Sequence, residues 1–280
     1  MHSFGAAIVT YNGANRVREL LASIEVDRPW LDDLLIAEDP CSYEQVHLEL
    51  VALAEKYQCR LVTGSNWGCM QGNATLAMLN MQTDVVALLS DDIIVTPGCL
   101  RDNRRFWETY YHYPVGASVI PSWGGWTDLE KMGLIKHPLE FHEKWKEWIS
   151  QVPRNEFWDF DNFPRLYVNV HGSGFAVRRD VWWAVGGCSK ETWCYDEDIA
   201  ARIWLYSPCV VVVAPGRPFV HFGGMSQCGN EHPDIDFHTL DAWKRAWDGR
   251  DKSEIHALIR EKMAERAYLD KYFRLHMMGG

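Results

Sequence analysis

The sequence predicts an α/β protein built on a mostly parallel central sheet with flanking helices. Three observations carry that prediction. Short apolar runs alternate with helical stripes three times within the first 90 residues, the pattern of a parallel sheet with helices on its faces. Each run ends in polar or acidic residues, and in such sheets ligands sit at the carboxyl ends of the strands. At 280 residues, 47% hydrophobic and 24% charged, the chain is long for one domain, short for two, and able to bury a substantial core.

The elements follow in order. Residues 5–11 form a short apolar run ending at Asn12-Gly13, a buried strand and a turn. Val17, Leu20, Leu21 and Ile24 lie on one helical face. Residues 34–37 form a second strand ending in Glu38-Asp39-Pro40. Ser42 and Gln45 have capping-box spacing, and Val46, Leu50, Leu53, Ala54 and Tyr57 continue as a helical stripe. Residues 59–62 are a third strand, 70–80 a helix, and 85–89 a fourth strand ending at Ser90-Asp91-Asp92.

The second half is less regular. Residues 115–120 read as a strand, and 121–167 as an irregular aromatic insertion containing Trp123, Trp126, Trp145, Trp148 and Trp158. Residues 168–170, 175–177, 210–213 and 219–221 read as strands, and 180–185 and 196–206 as helices. Residues 238–274 are mostly helical and highly charged. The expected organisation is a domain over 1–235, with a donor half at 1–100 and an acceptor and catalytic half at 101–235. A helical extension follows at 236–280.

Composition narrows the function. The net charge of -10 argues against a surface that coats nucleic acid, though not against a local basic groove. Residues 236–280 carry nine Lys/Arg and eight Asp/Glu, so the acidity lies before them. The longest apolar stretch, 209–214, is too short to span a bilayer. The N-terminus lacks a basic start and an apolar signal core, so a cytoplasmic location is expected, in a host cytoplasm if the protein is viral. None of the eight Cys forms a C-x-x-C pair, and several sit in apolar runs, as buried reduced thiols do.

Several motifs are excluded. Gly68-Cys69-Met70-Gln71-Gly72 lacks dinucleotide-binding spacing, and Gly172-Ser173-Gly174 lacks that of a nucleophile elbow. Neither a phosphate-binding P-loop nor H-E-x-x-H occurs. Three clusters remain. Ser90-Asp91-Asp92 follows an apolar strand, where carboxylates suit a hard divalent cation. Asp196-Glu197-Asp198 opens a helix, and His221-Phe222-Gly223-Gly224 follows a strand. Each alone also fits a plainer reading, as a solvated turn, a helix N-terminus favouring acids, or a satisfied polar His.

Taken in order, the pieces resemble an inverting glycosyltransferase of the GT-A fold, close to glycosyltransferase family 2. The matching residues are Ala7-Ile8-Val9-Thr10-Tyr11-Asn12, Glu38-Asp39, Asn66-x-Gly68 with Asn73, and Leu88-Leu89-Ser90-Asp91-Asp92. Further on come Gly172-Ser173-Gly174-Phe175, Gly186-Gly187, Glu197-Asp198 with Arg202, and His221-x-Gly223-Gly224-x-Ser226. The resemblance covers roughly residues 5 to 226. It implies a GT-A-type, Rossmann-like sheet and a divalent cation, Mn²⁺ or Mg²⁺, that neutralises a departing diphosphate.

Residue by residue, the resemblance assigns metal contact to Asp92. Ser90 stands where the family carries the first acid of D-x-D. His221 would add a ligand, and an imidazole with a carboxylate favours Mn²⁺. Thr10, Tyr11, Asn12, Glu38, Asp39, Asn66, Gly68, Asn73 and Asp91 fall on the donor nucleotide. A carboxylate at Glu38 or Asp39 can accept the uracil N3–H, so the expected donor is a UDP-sugar, with a dTDP-sugar open. Asp198 is the expected general base, supported by Glu197, with Asp196 and Glu197 raising its proton affinity by like charge. Trp123-Gly124-Gly125-Trp126 suits a lid hinged on glycines. Trp193, Asp196, Gly172, Ser173 and Gly174 are acceptor-side candidates. Most rings of the insertion also fit plain packing.

The acceptor stays open between a glycan or lipid-linked glycan and a hydroxymethylated base in bacteriophage DNA, for which Lys244, Arg245, Arg250, Lys252, Arg260 and Lys262 offer phosphate contacts. Two other functions compete. A nucleotidyltransferase making nucleotide sugars would need a basic Gly-rich N-terminal loop, and Asn12-Gly13-Ala14-Asn15-Arg16 is a poor one. A non-catalytic nucleotide-sugar-binding module rests on Ser90 alone.

Overall fold

The computed structural model describes residues 2–39, 43–64, 70–123, 164–170, 172–191, 195–221 and 240–278. Its strands are β1 (Phe4–Thr10), β2 (Asp33–Glu38), β3 (Arg60–Thr63), β4 (Val85–Ser90), β5 (Ile93–Val95), β6 (Val115–Val119), β7 (Ser122–Trp123), β8 (Arg165–Leu166), β9 (Gly174–Arg178), β10 (Val210–Val213) and β11 (Phe219–His221). Eight of them form the central sheet in the order β3-β2-β1-β4-β9-β6-β10-β8. β1 runs parallel to β2 and β4, and β2 to β3. β9 is antiparallel between β4 and β6, and β8 is antiparallel at the edge. Every residue of β1 and β4 is buried, which is why both read as unbroken apolar runs without alternation. A second, smaller sheet has the order β5-β11-β7.

Helix α1 (Ala14–Ile24) buries the stripe Val17, Leu20, Leu21 and Ile24, as its spacing predicts. Helix α2 (Glu44–Lys56) has Tyr43 at its N-cap without a side-chain cap. Tyr43 N–H instead donates to Asn12 Oδ1 at 2.8 Å, and Ser42 of the expected capping box lies outside the described residues. Helix α3 spans Met70–Asn80.

Residues 93–114 hold β5 and helix α4 (Cys99–Tyr110), which the sequence reading leaves unassigned. α4 buries Cys99, Asn103, Phe106, Trp107 and Tyr110, a 3.6-residue stripe. Gly98 precedes it at φ 92 and brings no cap of its own. Asp27 supplies one from a distance, accepting from Gly98 N–H at 2.8 Å and Leu100 N–H at 2.9 Å.

One expected strand is absent: 168–170 is not strand, and pairing with β10 falls at Arg165–Leu166. Asn169 Oδ1 accepts the Val170 N–H at 2.8 Å, a local bond that competes with the ladder. Helices α5 (Arg179–Ala184) and α6 (Tyr195–Tyr206) follow the prediction closely.

Helices α7 (Leu240–Ala246), α8 (Lys252–Glu265) and α9 (Tyr268–Met278) end the chain. Trp243, Trp247, Ile255, Ile259, Leu269 and Phe273 join the same buried core as the sheet. Arg266 donates to Cys209 O at 2.6 Å, and Leu166 N–H to Asp270 Oδ1 at 2.8 Å. Cys59, Cys99, Cys188 and Cys209 are free thiols, the last three buried. Among the described residues no helix is long and apolar enough to cross a membrane.

The two sheets touch where Gly174 of β9 lies against the Phe219 ring of β11. A Cβ on Gly174 would lie 2.5 Å from Phe219 Cε1, so a side chain there must displace a fully buried ring. Gly174→Val should cost about 1–3 kcal/mol of stability, read as a lower urea midpoint.

Candidate active site

Parallel register builds the site. β1 pairs Thr10 with Glu38 of β2, which pairs with Thr63 of β3, while Val9 lies beside Ser90 of β4. Polar residues at four strand ends therefore line up in one row. Thr10 Oγ1 donates to Asp91 Oδ2 at 2.6 Å, and Asn73 Nδ2 donates to Thr10 O at 3.3 Å. Asp39 N–H donates to the same carbonyl at 3.0 Å.

Asp91 is 3% exposed, and burial pushes its carboxyl up from the usual range. Arg16 opposes that, reaching Asp91 Oδ2 at 3.0 Å and Tyr11 O at 3.1 Å. Gly13 makes this approach feasible, because a Cβ there would collide with Asp91 Oδ2 and Thr10 Oγ1. Asn12 sits at φ 48, a left-handed turn position that Asn tolerates.

Asp92 belongs to a second group. β11 pairs antiparallel with β5, placing His221 opposite Ile93. That register brings His221 Nε2 to 3.4 Å from Asp92 Oδ2. Ser90 Oγ hydrogen-bonds Asp92 Oδ1, so the residue standing in place of an acid orients the acid that remains. Two donors on adjacent corners of a shared ion, each about 2.1 Å away, lie about 3 Å apart. The Asp92–His221 pair fits that spacing. Among the described residues no cluster of three His, Cys, Asp or Glu side chains is found, so the pair would be a partial shell.

The helical acids separate sharply. Asp198 is fully buried. It accepts from Ser189 N–H at 2.6 Å, Arg202 Nε at 2.9 Å and Trp247 Nε1 at 2.8 Å. Both its oxygens are committed, and none of these partners belongs to the Thr10–Asp92 row. Glu197 is ion-paired to Lys252 of α8. Asp196 faces the other way and accepts from Gly172 N–H at 2.9 Å. Tyr195 Oη donates to Gly172 O at 2.7 Å, and Ser173 O accepts from Ser90 N–H at 2.9 Å. Gly172-Ser173 thus links Asp196 to the Ser90–Asp92 turn. Burial raises the Asp196 carboxyl to about 6.

The structure therefore gathers Thr10, Tyr11, Asn12, Glu38, Asp39, Asn73, Asp91, Asp92, His221, Gly172, Ser173 and Asp196 at one end of the sheet. Asn66, Gly68, Trp126 and Trp193 lie outside the described residues. Trp123 ends β7, in register with Val220. Arg16, His47, Thr63 and Trp247 are contributors that the sequence reading does not single out. Arg16 had a visible signal, a basic residue in the first turn after β1.

No protein-family profile and no curated protein matches the sequence, but solved structures do. The mannosyltransferase PcManGT from Pyrobaculum calidifontis, in complex with GDP-Man and Mn²⁺, aligns at TM-score 0.57 and 15% identity over 94% of this chain and 70% of its own. S. aureus TarS 1-349 with UDP-GlcNAc aligns at 0.57 and 12% over 93% and 71%. GalNAc-T7 with UDP, GalNAc and Mn²⁺ aligns at 0.55 and 11% over 79% and 44%. The fold is the GT-A type of the nucleotide-sugar glycosyltransferases.

Two predictions follow from the acids. Asp198→Ala strands Arg202 and Trp247 without their acceptor and should cost about 3–5 kcal/mol, seen as a lower Tm. Asp196 is harder to ionise folded than unfolded, so its contribution is full below about pH 4. It fades as pH rises through about 6. Asp196→Asn should flatten that part of the stability–pH curve.

Proposed function

We propose that the protein is a metal-dependent inverting glycosyltransferase, moving a sugar from a nucleotide diphosphate donor, a UDP-sugar, to a hydroxyl acceptor. The observation that carries this reading is the link from the Asp92–His221 pair through Ser173 and Gly172 to Asp196, at the strand ends of a GT-A fold. Asp92 and His221 would hold the divalent ion, Mn²⁺ by their donor types. When bound, that ion supplies charge neutralisation for the departing diphosphate.

The general base passes from the expected Asp198 to Asp196. Asp198 has no oxygen without a donor and takes the side chains of Arg202 and Trp247, whereas the described contacts of Asp196 are backbone N–H groups, Gly172 among them. With its carboxyl near 6, Asp196 is ionised at neutral pH yet more basic than an ordinary Asp, as a general base requires. It takes the acceptor's hydroxyl proton while that oxygen bonds to the anomeric carbon and the bond to the diphosphate breaks. The Gly172 N–H orients the carboxylate.

The test is nucleotide release. Asp196→Asn should keep thermal stabilisation by UDP with Mn²⁺ and lose about 10²-fold or more of acceptor-dependent UDP release. Full turnover in that variant would remove Asp196 from the chemistry.

A further inference from the structure

The opposite end of the sheet carries a histidine pair that the reaction above does not use. β1 and β4 start side by side, with Phe4 in register with Val85, at the far end of the strands from the Thr10–Asp92 row. His2 precedes β1, and His112 lies in the turn between α4 and β6. Their Nε2 atoms face each other at 3.3 Å. The two rings are inclined by 68°, with centroids 4.9 Å apart.

The His2 ring is held on both sides. It stacks on Tyr111, with centroids 3.4 Å apart and 16° between the planes. Its other nitrogen, Nδ1, lies 3.8 Å from Asp84 Oδ2. That oxygen is fixed in turn, accepting from Ser3 N–H and Ser3 Oγ, each at 2.8 Å. The cation nearby, Arg178, donates to Asp180 Oδ1 at 3.0 Å and lies over the Tyr111 ring, so the Asp84 carboxylate stays turned to the histidine.

We propose that His2 and His112 bind a divalent transition-metal ion of the imidazole-preferring class, Zn²⁺, Ni²⁺ or Cu²⁺, with water in the remaining positions. Two nitrogens about 2.0–2.1 Å from one ion, on tetrahedral corners, lie about 3.3–3.4 Å apart. The facing Nε2 atoms have that spacing. Without an ion, two neutral rings so placed share one N–H···N hydrogen bond. The ion takes both Nε2 lone pairs, and the donating ring moves its proton to Nδ1, so no proton is lost. For His2 the Nδ1–H then faces Asp84, the carboxylate–histidine–metal arrangement that orients a ligand ring and raises its basicity. An ion at this place ties the start of β1 to the turn before β6, 110 residues away. Mn²⁺ stands at the weak end of the affinity order for such nitrogens, so the metal itself distinguishes this site from the one proposed at Asp92.

The experiment is a Zn²⁺ titration of the full chain by calorimetry, with Tm measured in parallel. His112 is exposed and His2 partly so, so neither substitution opens the core, and the Tm without Zn²⁺ checks this. Expected is a Zn²⁺ site that either His2→Ala or His112→Ala weakens about tenfold or more, and Asp84→Asn about tenfold. His221→Ala should keep that site, and Mn²⁺ should fill it about tenfold more weakly or worse. Saturating Zn²⁺ should raise the Tm of wild type by more than that of either histidine variant. No Zn²⁺ uptake overturns the inference, as does uptake that either histidine variant leaves unchanged. Uptake lost in His221→Ala but kept in His112→Ala places the ion at the other site and also overturns it. The donor reading stands or falls separately, on nucleotide release.

Discussion

The pairing of β1 between β2 and β4 is the constraint on which the rest of the site depends. It sets Thr10, Glu38 and Asp91 at one end of a buried sheet and leaves Asp92 one residue further on. Burying several carboxylates together is costly, and each is offset differently. Asp91 has a guanidinium and a hydroxyl, Glu38 an imidazole and a hydroxyl, and Asp92 a serine and a histidine. Those partners come from β1, α1, α2, β3, the end of β4 and β11, so the surrounding elements are tied to the site by charge and hydrogen bonding as well as by packing.

The helical acids show how surroundings divide chemically identical groups. Residues two apart on a helix point roughly 200° apart. Asp196 therefore turns toward Gly172, while Asp198 turns toward Arg202 and Trp247. Burial raises the proton affinity of both, but the described contacts of Asp196 are backbone N–H groups. Asp198 is a structural hub joining α6 to the C-terminal helices. The Glu197–Lys252 pair and the Arg245–Glu191 contact at 3.2 Å reinforce that junction. The C-terminal helices thus brace the turn that presents Asp196, and they share the core of the sheet domain.

Strands of the donor half were legible because buried parallel strands leave continuous apolar runs, and α1 because its stripe has the helical period. β5 was not, since three apolar residues after two acids carry no period of their own. α4 had a readable stripe but an uncapped start, because its cap, Asp27, is more than 70 residues distant in sequence from Gly98 and Leu100. His47 and Trp247 gave no local signal at all. Their importance is set by which carboxylate each one meets across the fold.

By itself the sequence determined the α/β class, the parallel donor half, the acids at its strand ends, and the order of pieces that resembles a GT-A enzyme. These follow from local periodicity and from where polar residues interrupt apolar runs. Tertiary structure alone decided that Asp198 is held by side-chain donors and Asp196 by backbone N–H groups, that His221 reaches Asp92, and that one oxygen of Glu38 lacks a described partner. Proton affinity and hydrogen-bond satisfaction depend on distances between residues far apart in the chain, and only strand register and helix rotation set those distances.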